Sequence, residues 1–266
     1  MQIEQVIGGV DGDASAQAIQ LRMRLGFQNG VNGARLRAHD AAGSGTILLI
    51  QFDRNVTNEG TGVRILIGSE SFAEATDPPA DLDFVLTNMI PESYLAAGSI
   101  TFESGSGIIY WRLSWGGDAY TGPTDGATTN DSDGEFGPPY DGPLPSIDAM
   151  ALQFQGKAGD QSTNNRDDYE LTKGAAVFVN NDGDSFQVVS SPGCVRDPDW
   201  VCDGDVDGDS QVNPVDSGLV QAAFGSTEES DLCQYDVDCD GQINPVDSGI
   251  VQSLFGTCEA PRSVCP

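Results

Sequence analysis

Apolar and polar residues alternate with a period of two along much of the first 190 residues. Ile19, Leu21, Met23 and Leu25 interleave with Gln20, Arg22 and Arg24, the pattern of a strand with one face buried. The sequence Gln28–Gly33 (QNGVNG) reads as a turn, and Leu36 between Arg35 and Arg37 marks a second strand. Ile47–Ile50 is an unbroken apolar run, expected to be buried on both faces. Val63, Ile65 and Ile67 alternate again. Phe84–Leu86, Ile100–Phe102, Ile108–Trp115, Ala149–Phe154, Tyr169–Leu171, Ala176–Val179 and Phe186–Val189 bring the total to about a dozen short strands. That number, with Gly-rich turns between, predicts a mainly β fold: an antiparallel β-sandwich, jelly-roll or immunoglobulin-like, over residues 1–191.

The pattern changes near residue 205. DVDGDSQVNPVDSGLVQAAFG (Asp205–Gly225) and DVDCDGQINPVDSGIVQSLFG (Asp236–Gly256) are two copies of one unit, offset by 31 residues. Each ends in a short helical stretch. Pro214 and Pro245 suit a first helical turn, and Gly225 and Gly256 suit a stop. Val215, Leu219 and Ala223, beside Phe224, line one face, as do Val246, Ile250 and Leu254 in the second copy. Helices of about ten residues are marginal alone. The two are therefore expected to pack on each other about a pseudo-twofold axis.

The residues before each helix carry the chemistry. Asp205, Asp207 and Asp209 fall at positions 1, 3 and 5 of a twelve-residue loop, with Gln211 at 7, Asn213 at 9 and Asp216 at 12. Asp236, Asp238, Asp240, Gln242, Asn244 and Asp247 repeat the series. Calcium takes six to eight oxygen ligands, and a loop with oxygens at these positions wraps it. Two loops in register predict two calcium ions, with the carboxylates repelling one another when the cation is absent.

Residues 202–258 resemble a type I dockerin, the calcium module that docks secreted proteins onto cohesin domains. The resemblance rests on the duplicated loop, on Asp at position 12, and on the missing entering helix. It implies the twelve residues above as calcium ligands and a cohesin-like protein as partner. Ser210 stands where the family has a turn glycine that Gly241 keeps in the second loop. Positions 10 and 11, which dockerins use for recognition, are Pro214–Val215 and Pro245–Val246. Separately, ARLRAHDAAG and IPESYLAAGSITF bear a slight resemblance to secreted bacterial lamin-tail-like sandwich domains.

Composition adds the compartment. The formal net charge is -29, and residues 194–266 hold 15 of the 41 acids but 2 of the 12 bases. Such a surface repels nucleic acid and anionic lipid and attracts divalent cations. Cys194, Cys202, Cys233, Cys239, Cys258 and Cys265 all lie in this C-terminal part. An even number in a small acidic module predicts three disulfides, with fifteen possible pairings, and an oxidising, extracellular location. Zinc is the alternative, opposed by the absence of a CxxC pair and of a nearby histidine. No stretch approaches a membrane span, and no signal peptide is visible, so the chain is expected to begin near a mature terminus. Residues 192–201, with two prolines, form a short linker to a module over 202–266. Asn55-Val56-Thr57 and Asn130-Asp131-Ser132 fit the glycosylation sequon.

The remaining candidates are weaker. Gly116–Ser146 is long and nearly free of aliphatic residues; Asn130, Asp131, Asp133 and Glu135 in it are either a third cation site or a solvated acidic turn. Asn181–Asp184 reads as a hairpin turn. His39 is the only histidine, which removes Ser-His-Asp and Cys-His catalysis. Trp111 and Trp115 alternate into the core, leaving Tyr120 and Tyr140 for a sugar. If the two arginine-bearing strands pair through the QNGVNG turn, Arg22, Arg24, Arg35 and Arg37 share one face, a cationic patch suited to contacts between copies of the chain. Gln2–Ile7 (QIEQVI) reads as an edge strand able to extend a neighbour's sheet. Together these features predict a secreted, non-catalytic structural protein that self-assembles with calcium into a filament or surface layer. Docking of a sandwich, with a glycan as cargo ligand, onto a cohesin-bearing partner is the alternative, and a glycan-active enzyme the third.

Overall fold

The computed structural model describes residues 1–126, 135–161, 164–189, 204–207, 211–226, 231, 235–237 and 242–256. The chain divides into two compact units, Met1–Ser190 and Ser191–Pro266. The 192–201 linker lies outside the described residues.

Unit one is a stack of three sheets. The central sheet has six strands in the order Tyr169–Leu171 (β11), Leu152–Phe154 (β10), Gln2–Ile7 (β1), Ala18–Arg22 (β2), Arg64–Gly68 (β5) and Phe84–Val85 (β7). All its pairs are antiparallel except β5 with β7. The second sheet runs Thr46–Gln51 (β4), Arg35–Asp40 (β3), Gly98–Glu103 (β8) and Ile109–Trp115 (β9), antiparallel throughout. The third is Val177–Val179 (β12), Ser185–Val188 (β13) and Thr76–Asp77 (β6).

Two cores follow from the alternation. Ile3, Val6, Ile19, Leu21, Ile65 and Ile67 face Leu36, Ala38, Ile100, Phe102, Trp111 and Leu113 of the four-stranded sheet. The opposite face of the central sheet presents Ile7, Ala18, Leu66 and Ala151. These pack under Phe178, Phe186 and Val188 of the third sheet and Phe72 of a short helix, Glu70–Glu74 (α1). The tryptophans are core, as their alternation predicts. Trp111 Nε1 donates to Tyr169 Oη at 2.7 Å, and that hydroxyl donates to the Ile3 carbonyl at 2.6 Å, stitching β9, β11 and β1.

Four expectations are corrected. The first strand is not an edge: β1 lies between β10 and β2, and all six of its residues are buried. Its polar residues are met by partners within the unit: Gln5 Nε2 donates to the Val177 carbonyl of β12, and Gln2 Nε2 to the Asp160 carbonyl. The two arginine strands do not pair. β2 joins β1 and β5, β3 joins β4 and β8, and QNGVNG carries the chain from one sheet to the other. Ile47–Ile50 belongs to β4, the first strand of its sheet, and Leu48 is exposed. Tyr120 is buried, with its hydroxyl donating to the Pro123 carbonyl at 2.7 Å and lying 3.1 Å from the Ser99 hydroxyl. The 116–146 segment supplies core as well, since Phe136 and Leu144 are fully buried. Residues 127–134, with Asn130, Asp131 and Asp133, lie outside the described residues.

The four arginines are engaged within the unit. Arg22 and Arg64, cross-strand neighbours on β2 and β5, both hold Glu4, at 2.6 and 2.7 Å. Gln20 Nε2 donates to the same carboxylate at 2.9 Å. A carboxylate this deeply buried requires such partners. Arg24 lies 6.0 Å from the Trp111 ring. Arg35 and Arg37 flank Glu103 on the other sheet.

Candidate metal centre

Unit two is built on two nine-residue helices, Pro214–Ala222 (α4) and Pro245–Ser253 (α5). Unit one has, besides α1, two further short helices among the described residues, Glu92–Leu95 (α2) and Asn165–Asp168 (α3). Both α4 and α5 start with a capping box. Asn213 caps α4, its side chain accepting from Val215 N at 2.8 Å, while Asp216 Oδ2 accepts from Asn213 N at 2.8 Å. Asn244 and Asp247 repeat this with Val246 N and Asn244 N, again at 2.8 Å. Pro at the first helical position costs nothing, because its missing N–H has no intrahelical partner there.

The capping aspartates also reach back into the loops. Asp216 Oδ1 accepts from Val206 N at 2.9 Å and from Asp207 N at 3.3 Å. Asp247 Oδ1 accepts from Val237 N at 2.7 Å. One carboxylate thus fixes both ends of its loop. Asp205 and Asp216 are buried and Asp207 is exposed, and one carboxylate oxygen from each lies within 4.8 Å of the others. In the second loop Asp236 and Asp247 are buried in the matching places.

The helices meet about the expected pseudo-twofold. Ser217 and Ser248 touch at 2.9 Å, and Gln221 and Gln252 each donate to both hydroxyls at 2.9 to 3.1 Å. Gly225 N donates to the Ile243 carbonyl at 2.9 Å, and Gly256 N to the Val212 carbonyl at 3.0 Å. Each glycine has a positive φ, 77° and 75°, the left-handed stop that a side chain disfavours. Val206, Val212, Val220, Ile243 and Val251 form the core. Here the periodicity misplaced one residue of each helix. Val215 and Val246 are 56% and 55% exposed, because Asp216, Ser217 and Val220 take the inner face of α4 and their counterparts that of α5.

Of the predicted ligands, the structure brings together Asp205, Asp207 and Asp216. Gln211, Asn213, Asp236, Gln242, Asn244 and Asp247 keep their loop positions. Asp209, Asp238 and Asp240 lie outside the described residues, as do all six cysteines. The donor set fits calcium: hard oxygens, clustered carboxylates with no basic residue among them, and a loop pinned at both ends. A transition metal would favour the nitrogen or sulfur donors that this cluster lacks.

Sequence reasoning missed the serine–glutamine cross between the helices, although both residues repeat at the 31-residue offset. It also missed Glu103, the acid between Arg35 and Arg37, which alternation along SITFE would have placed on their face. No helix among the described residues is long and apolar enough to cross a membrane. No curated protein and no solved structure matches the chain. A family model described as the dockerin type I domain matches residues 203–255, and that C-terminal segment is a type I dockerin module.

Proposed function

We propose that the protein is a secreted, calcium-dependent docking protein. Its C-terminal module holds one calcium ion in each loop and binds a cohesin-type domain on a partner. The β-sandwich is the cargo so presented, and it acts without catalysis of its own. The observation that carries this reading is the cluster of Asp205, Asp207 and Asp216 at the helix start, within the dockerin match. The exposed pair Val215 and Val246, at equivalent places on the two helices, supplies apolar contact for the partner. Three disulfides among the six cysteines accord with secretion. Two features that favoured self-assembly, an edge strand at Gln2–Ile7 and a face shared by four arginines, are not present in the sandwich.

The test is binding of the full chain to an immobilised type I cohesin domain, in calcium and in excess chelator. Binding that needs calcium, and that Asp216→Ala together with Asp247→Ala abolishes, supports the proposal. Equal binding with and without calcium, or none to a panel of cohesins, overturns it.

A further inference from the structure

One face of the four-stranded sheet carries a cluster of arginines on this acidic chain. Strand register sets its layout. Leu48, Arg37, Thr101 and Arg112 form one row across β4, β3, β8 and β9. Gln51, Arg35 and Glu103 form the next, and Thr46, His39, Ser99 and Ser114 flank the first on its other side. Arg35 and Arg37 therefore flank a single buried carboxylate, Glu103, with Arg112 in the adjacent row.

That carboxylate does not satisfy them. Glu103 Oε1 accepts the Thr101 hydroxyl at 2.7 Å, and Oε2 lies 3.6 Å from Arg37 and 4.0 Å from Arg35, beyond hydrogen-bond length. Arg35 reaches the Ser104 carbonyl at 3.3 Å. Arg112 is occupied by Asp125, through a 2.8 Å bond to its carbonyl and a 4.0 Å approach to its carboxylate. The Nε atoms of Arg35 and Arg37 have no hydrogen-bond partner. Those two Nε atoms are buried, but the side chain of Arg37 is 32% exposed and its terminal nitrogens make no hydrogen bond among the described residues, so they are the donors left to solvent. His39 adds no charge: burial, then Arg112, holds its pKa below the usual range, and its ring nitrogens lie 3.1 and 3.0 Å from Thr46 and Thr101 hydroxyls.

We propose that Arg37, with Arg35 and the charge of Arg112 behind it, binds the carboxylate of a small, otherwise uncharged ligand on this face. A guanidinium fork with unspent donors matches a carboxylate in two parallel hydrogen bonds. A polyanion is disfavoured. The net charge of -29 repels an extended acidic chain, whereas one carboxylate needs only the local field within a screening length of about 8 Å. The exposed Leu48 beside Arg37 offers apolar contact to the uncharged part.

The test is a nuclear magnetic resonance titration of the full chain in calcium. Sodium acetate and the methyl glycoside of glucuronic acid are added separately against sodium chloride at matched ionic strength. Saturable shifts at the amides of residues 35–39, 48 and 101–103 are expected, with Kd in the millimolar range for acetate. A tighter Kd for the glucuronide identifies an acidic sugar as the source, and equal values identify a free carboxylate. Arg37→Gln should weaken binding by about tenfold or more, while Glu103→Gln, which removes the competing carboxylate, should tighten it severalfold. A purely structural cluster would lose stability in both variants and show no gain in Glu103→Gln. Shifts no larger than chloride produces, or an affinity unchanged in Glu103→Gln, overturn the proposal, and the second measure holds even if Arg37→Gln fails to fold.

Discussion

Removing calcium should unfold the C-terminal unit while leaving the sandwich folded. Asp205 and Asp216 are both buried and place carboxylate oxygens within 4.8 Å of each other. At that distance and an effective dielectric of about 20, their repulsion is about 3.5 kcal/mol. Asp207 adds to it, but less, because it is exposed and water screens it. The backbone N–H groups that Asp216 accepts offset part of this cost. What remains is a large share of the stability available to a small module. In the other direction, a cation at about a thousand times its Kd adds about 4 kcal/mol to the folded state. For a unit of this size that is a shift of about 16 °C or more in the melting midpoint.

Scanning calorimetry of the full chain is the assay. Two transitions are expected in calcium, and in chelator the one belonging to the helical unit should fall by that amount or vanish. Helical ellipticity should fall with it, because the two longest described helices lie in this unit. Asp216→Asn keeps an oxygen for the capping box but loses the charge. Its midpoint in calcium should approach the chelated value of the parent. An identical pair of thermograms with and without chelator would refute the reasoning, since it would mean that the carboxylate cluster is already stable by itself.

Two further outcomes follow from the sandwich. Tyr169→Phe removes the acceptor of Trp111 Nε1 and the donor to the Ile3 carbonyl, both buried, and should cost about 1–3 kcal/mol in the sandwich transition alone, read by denaturant titration; a cost near zero would show that the stitch contributes nothing. Burial raises Asp83 to about 6, so the folded state keeps its proton to higher pH than the unfolded state does, and this group's contribution to stability falls as pH rises from about 4 to 6; Asp83→Asn should flatten that slope, and a parent and variant with parallel melting profiles would contradict it.

The module was legible from the sequence because its structure is local and duplicated. The carboxylate contacts that shape each loop join residues no more than ten positions apart, such as Asp216 with Val206 and Asn213. The 31-residue repeat then states each requirement twice. The sandwich was legible only as strands. Alternation tells which residues share a face but not which strand lies alongside. β1 pairs with β10, so that Gln5 faces Gln153, a partner that no local pattern names. The same limit hid the fate of QNGVNG, since a turn between two alternating strands serves a hairpin or a crossing between sheets equally well. Polar residues in QIEQVI suggested solvent. They are dry because each meets a partner from elsewhere in the unit: Gln5 the third sheet, Gln2 the Asp160 carbonyl, and Glu4 the side chains of Arg22, Arg64 and Gln20, which supply what water would have given it.

That contrast bears on why the two units answer the same problem differently. Both bury carboxylates, and a buried carboxylate needs positive charge or donors close by. The N-terminal unit holds 10 of the 12 bases and places them on its acids: Arg22 and Arg64 on Glu4, Arg35 and Arg37 around Glu103, Arg112 on Asp125, Arg166 on Asp141. The C-terminal unit has 15 acids and only Arg196 and Arg262 as bases, both outside the loops. It buries Asp205, Asp216, Asp236 and Asp247 with no guanidinium or ammonium in either loop sequence. Backbone N–H groups meet part of the need. The rest has to be imported as a cation, and the loop spacing selects calcium. The folding of this unit is therefore conditional on its surroundings in a way that the folding of the sandwich is not. A calcium-rich medium supplies that condition, and chelation withdraws it from the C-terminal unit alone.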